Sequence, residues 1–109
     1  MTNASRIPAF VNRKSGTFEG ARAALEQAGS FDIHEIEPDR LKEELAAAVK
    51  RGEKRILISG GDGSIRTAVE AVAGTGVELA VLPSGTLNHF AKDHHLPLDL
   101  NDAANVAAS

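Results

Sequence analysis

Ile56-Leu57-Ile58-Ser59-Gly60-Gly61-Asp62-Gly63-Ser64 is an apolar run that stops at a glycine-rich turn, and beyond it Ile65, Ala68, Val69 and Val72 recur at helical spacing. The order is strand, turn, helix. Glycine at positions 60, 61 and 63 lets the backbone take positive φ and approach a ligand closely. The first turn of the following helix offers unpaired N–H groups and a positive dipole end to an anion. Gly60, Gly61, Asp62, Gly63 and Ser64 therefore read as a phosphate cradle. Asp62 is its odd member, because a carboxylate facing phosphates must be offset by a cation, a hydrogen bond or a proton, and magnesium is the natural candidate. A tight connection that binds nothing is the plainer alternative.

Two common glycine-rich signatures are excluded by spacing. A P-loop needs a lysine after the turn, and none follows. A dinucleotide fingerprint needs a third glycine near position 66, where Arg66 stands. A second loop strengthens the ligand reading. The strand candidate 77–82 leads into Pro83-Ser84-Gly85-Thr86-Leu87-Asn88, where Pro83 is expected to end pairing and Gly85 to permit a sharp turn. Ser84, Thr86 and Asn88 are short polar residues suited to capping a helix. Both loops fall at the same end of parallel strands, where open α/β sheets bind their ligands.

Working outward, strands are expected over 7–11, 31–36, 55–59 and 77–82. Helices are expected over about 17–28, from about 39 to Gly52, and over 64–73. This alternation predicts an α/β fold: a Rossmann-like parallel sheet with helices on both faces and right-handed crossovers. Pro8 lies near the start of its strand, where a missing N–H does least harm. The second strand is the least apolar and suits a sheet edge, with His34 at the surface. Lys42, Glu43, Glu44, Lys50 and Arg51 make the wet face of the second helix.

Composition restricts function less sharply. The 109 residues suffice for one domain, and a net charge of −3 argues against a nucleic-acid partner. Without cysteine there is no disulfide and no thiolate metal site. No run approaches the ~18 apolar residues of a membrane span, and residues 1–6 open no signal-peptide pattern. Asp93-His94-His95 reads as a solvated loop rather than a metal site, since adjacent side chains point apart. The helix signal after Leu100 runs out at Ser109, as in a fragment.

Three motifs together carry a resemblance. Asn12-Arg13-Lys14-Ser15-Gly16, Gly60-Gly61-Asp62-Gly63-Ser64 and Leu82-Pro83-Ser84-Gly85-Thr86-Leu87-Asn88-His89-Phe90-Ala91-Lys92 resemble the catalytic domain of the diacylglycerol kinase family, whose members include bacterial lipid kinases and sphingosine kinases. The glycine turn is shared with NAD kinases, and the third motif selects the lipid kinases. The resemblance implies an N-terminal nucleotide-binding domain of a two-domain, ATP-dependent enzyme. That enzyme transfers the γ-phosphate to a lipid hydroxyl such as that of diacylglycerol.

The same resemblance implies that Asn12, Ser15, Gly16, Gly60–Ser64, Ser84, Gly85, Thr86 and Asn88 bind the nucleotide. It implies that Asp62 is catalytic, beside the transferred phosphoryl group. The lipid pocket, the general base and most magnesium ligands are implied to belong to a β domain beyond residue 109. The isolated chain is then expected to be inactive. The expected location is cytoplasmic, with transient contact at the inner membrane surface, and an undocked apolar face would allow a homo-oligomer. A kinase of a soluble acceptor and a non-catalytic nucleotide-binding module are the alternatives. Ser64 stands where threonine is usual in the family, and Arg13 where proline is common.

Overall fold

The computed structural model describes residues 6–14, 16 and 18–83, the side chain of Pro83 aside. The elements in chain order are strand β1 (Ile7–Asn12), helix α1 (Phe18–Ala28), strand β2 (Phe31–Ile36), a 3-10 turn (Pro38–Arg40), helix α2 (Leu41–Lys50), strand β3 (Arg55–Gly60), helix α3 (Asp62–Val72) and strand β4 (Glu78–Pro83). All recorded pairings are parallel, in the order β2-β1-β3-β4. The Rossmann-like α/β architecture expected from the sequence is the one observed.

Strand parity divides the core. Side chains alternate along a strand, so Ala9, Val11, Leu57 and Leu82 face one way and pack with Ala21, Ala24 and Leu25 of α1. Phe10, Ile56 and Ile58 face the other way and pack with Leu41, Leu45 and Ala48 of α2 and Ile65 and Ala68 of α3. With both faces covered, the inner strands β1 and β3 carry unbroken buried runs, as buried parallel strands do. Pro8 is accommodated in a central strand because pairing to β3 is recorded only from Ala9 onward. β2 lies at the end of the strand order, and there half-exposed His34 stacks on Phe10 with ring centroids 5.4 Å apart.

Several local expectations are corrected. Helix α3 begins at Asp62 rather than Ser64, with Gly61 as its N-cap in an extended conformation. Among the described residues the glycines with positive φ are Gly29, Gly52, Gly74 and Gly76, which end helices or shape turns; the φ of Gly61 is −83°. The cradle is therefore not a left-handed turn. Strand β4 runs from Glu78 to Pro83 rather than over 77–82, with Pro83 as its last residue in register with Gly60. Val69 is 40% exposed, so the buried stripe of α3 is Ser64, Ile65 and Ala68.

Candidate functional site

The chain moves from β1 to β2 on one side, then returns past β1 to place β3 and β4 on the other. The direction of winding thus reverses between β1 and β3. Loops leaving the carboxyl ends of two such strands diverge to opposite faces and leave a crevice, which is where open α/β sheets hold ligands. The two loops here are Arg13-Lys14 with Gly16, after β1, and Gly60-Gly61, which enters α3.

Parity decides which side chains meet there. Asn12 shares the face of Phe10 and so points toward α3. Its Nδ2 donates to Ser64 Oγ at 2.8 Å, and its Oδ1 accepts from the backbone N–H of Lys14 at 2.9 Å. One side chain thereby folds the β1 loop back and ties it to the first turn of α3. Gly60 is what lets them meet. A Cβ there would lie 2.7 Å from Ser64 Cβ, 2.8 Å from Ser64 Oγ and 3.3 Å from Asn12 Cβ. The requirement for glycine at position 60 is thus internal, a close approach of one part of the chain to another.

Asp62 occupies the first turn of α3, where a carboxylate is favoured by the helix dipole. The helix propagates from the N–H of Ile65, which donates to the carbonyl of Gly61 at 3.1 Å. The N–H groups of the first turn have no partners of this i→i−4 kind inside the helix, so this end presents donors to an anion. Among the described residues no three His, Cys, Asp or Glu side chains gather in a way that would hold a metal ion. Asp62 is the carboxylate that lies within the glycine-rich turn itself.

Charge outside the cradle is arranged in exposed pairs. Glu37, directly after β2, lies 3.7 Å from Arg13 Nη1 and 3.9 Å from Lys14 Nζ, while Glu35 meets Arg13 at 3.9 Å and also pairs with Arg22 of α1. The acid that follows β2 is therefore matched by cations from the β1 loop. Arg66 is exposed on α3. A cleft at the opposite, amino ends of the strands is lined by Ile7, Lys54, Arg55, Thr75, Val77 and Glu78. Arg55 Nη2 and Glu78 pair there at 2.7 Å. This cleft is remote from the loops where such sheets bind ligands.

Of the residues singled out from sequence, the structure brings Asn12, Gly60, Gly61, Asp62, Gly63 and Ser64 to one end of the sheet. Gly16 is exposed in the β1 loop. Ser15, Ser84, Gly85, Thr86 and Asn88 lie outside the described residues. Sequence reasoning missed the bond between Asn12 and Ser64. The alternation of Phe10 and Asn12 signalled the direction of the Asn12 side chain, but its partner 52 residues away was set by the return of β3 beside β1.

Comparison with known proteins places this geometry in a family. The sequence profile of the diacylglycerol kinase catalytic domain matches residues 6–109. A diacylglycerol kinase of Mycobacterium tuberculosis (strain H37Rv) is 34% identical over 101 residues, covering 84% of this chain and 32% of that protein. One of Staphylococcus carnosus is 28% identical over 99 residues, covering 89% of this chain and 29% of its own. The crystal structure of a diacylglycerol kinase from Bacillus anthracis shares the fold with a TM-score of 0.74 at 22% identity, across 95% of this chain and 42% of that one. The chain thus spans about a third of the length of the sequence relatives it matches. With the profile matched from the first described residue to the last of the sequence, the chain belongs to the diacylglycerol kinase catalytic domain family.

Proposed function

We propose that this chain is the nucleotide-binding domain of an ATP-dependent lipid kinase. The observation that carries the reading is the joining of the β1 loop to the first turn of α3, through Asn12 and Ser64, at the reversal of strand order. A phosphate chain laid against this end of α3 meets first-turn N–H donors, the dipole of α3 and the Ser64 hydroxyl. The names of the sequence relatives supply the acceptor class, a diacylglycerol or similar lipid hydroxyl. Catalysis of this kind rests on positioning and charge stabilisation. Magnesium, when bound, would neutralise charge on the phosphates, and Asp62 is the residue of the cradle suited to it. The remaining ligands, the acceptor pocket and the base that takes the hydroxyl proton are assigned to segments beyond this chain, as is contact with a membrane surface. No helix among the described residues is long and apolar enough to cross a membrane.

The test is a titration with ATP and ADP of the wild type and of Gly61→Val. Gly61 has φ −83° and ψ −172°, an extended conformation open to valine, so the variant is expected to fold. Its side chain is expected to abolish nucleotide binding by obstructing approach to the start of α3. Equal affinity in two folded proteins refutes the reading. In the full-length enzyme, Asp62→Asn is expected to reduce kcat by roughly 10²–10³-fold with little change in stability.

A further inference from the structure

We propose that Asn12 is a positioning residue that acts through Ser64: by occupying an acceptor site of the Ser64 hydroxyl, it leaves the hydroxyl proton to be donated to a phosphate oxygen of the bound nucleotide. The inference rests on the nucleotide reading above and deepens it, because resemblance alone makes Asn12 a direct contact.

The polarity of the bond is fixed by the chain itself. A backbone N–H only donates, so the Asn12 atom 2.9 Å from the Lys14 nitrogen is the carbonyl Oδ1. The atom facing Ser64 at 2.8 Å is then the amide Nδ2, which only donates, and Ser64 Oγ must accept. A hydroxyl that accepts from Asn12 keeps its own proton for another acceptor. Among the described residues, Asn12 is the partner recorded for Ser64 Oγ. Ser64 is only 9% exposed, so an unmade bond there is costly.

Direction agrees with this role. Ser64 is the third residue of α3, and helical side chains lean toward the helix N-terminus, which is the end open to an anion. Gly60 holds the space in which the Asn12–Ser64 bond forms. A serine oriented in this way is a preorganised donor for a negatively charged oxygen.

The discriminating substitution is Asn12→Asp. An aspartate has the same shape and still accepts from the Lys14 N–H, but toward Ser64 it too can only accept. The Ser64 proton then turns to the aspartate, and the hydroxyl presents lone pairs to the phosphate. If Asn12 were only a structural tie, the reversed bond would preserve both fold and binding. The experiment measures ATP affinity calorimetrically in the full chain for Asn12→Asp, Asn12→Ala, Ser64→Ala, Ser64→Thr and the Asn12→Asp/Ser64→Ala double variant, with thermal unfolding as the control.

Each of Asn12→Asp, Asn12→Ala and Ser64→Ala is expected to weaken ATP binding roughly ten- to a hundredfold, the worth of a hydrogen bond to a charged group. Ser64→Thr keeps the hydroxyl and is expected to bind like the wild type. The double variant is expected to match Ser64→Ala within about threefold, because partners in one interaction are not additive. Additive losses would mean that Asn12 meets the nucleotide or repels it directly, and they overturn the proposal. So does wild-type affinity in Ser64→Ala or in both Asn12 variants. A wild type that binds no ATP refutes the nucleotide reading itself and this inference with it.

Discussion

A methyl group at Gly60 would press on Ser64 and Asn12, whereas one at Gly63 meets nothing within 4 Å. The two glycines stand three residues apart and answer to different forces. Gly60→Ala is expected to cost about 1–3 kcal/mol by overpacking and to weaken nucleotide binding as the Asn12–Ser64 bond is pushed apart. Gly63→Ala lies inside α3 and is expected to stabilise the fold by about 0.5–1 kcal/mol through the lower entropy of its unfolded chain. Urea denaturation of both variants checks the pair, and equal midpoints would contradict it. The exposed pairs of Glu37 with Arg13 and Lys14 are loose, and Glu37→Gln is expected to move the unfolding free energy by less than about 1 kcal/mol. The sequence made glycine at these positions conspicuous. It did not separate one required by packing from one that packing tolerates, because that difference depends on a side chain arriving from β1.

At the scale of elements, periodicity and stop signals placed the helices and strands well, since apolar stripes and terminal glycines are local. The stops at Gly29 and Gly52 are borne out by φ of 78° and 83°. What local pattern could not supply was the start of α3. Asp62 and Gly63 are poor helix formers in isolation, but they are carried into the helix by Gly61 as N-cap and by a carboxylate in its first turn. The one-residue shift of β4, from the expected 77–82 to Glu78–Pro83, likewise depends on sheet register, with Pro83 as the last residue opposite Gly60. The inner strand β3 is heavily packed, with Ile56, Leu57 and Ile58 fully buried between two helix layers. Leu57→Ala is expected to destabilise the protein by about 2–5 kcal/mol, measured as a lower urea midpoint with unchanged slope.

For the whole molecule, the matched relatives are about three times as long as this chain. Residues 1–109 alone are expected to transfer no phosphate from labelled ATP to diacylglycerol in mixed micelles. Measurable transfer would show that the acceptor site and base lie within the chain. The α/β class was legible because strand–helix alternation fixes parallel topology, and topology brings the loops after β1 and β3 to one end of the sheet. Which faces α1, α2 and α3 cover was legible only as helices on both sides. Their division into one and two followed from the order β2-β1-β3-β4.

The bond from Asn12 to Ser64 joins residues 52 apart in sequence, and α1, β2 and α2 all lie in the intervening loop. Such a contact is among the most non-local in the chain, and its closure entropy must be met before it forms. Helices can appear early from local contacts, yet this end of the cradle exists only once β3 has docked beside β1. Recovery of nucleotide binding after dilution from urea is therefore expected to track the slowest phase of refolding, with no earlier partial signal. On the proposed function, a chain held in a collapsed, helix-containing state would bind no nucleotide, and affinity would double as a kinetic report on completed topology.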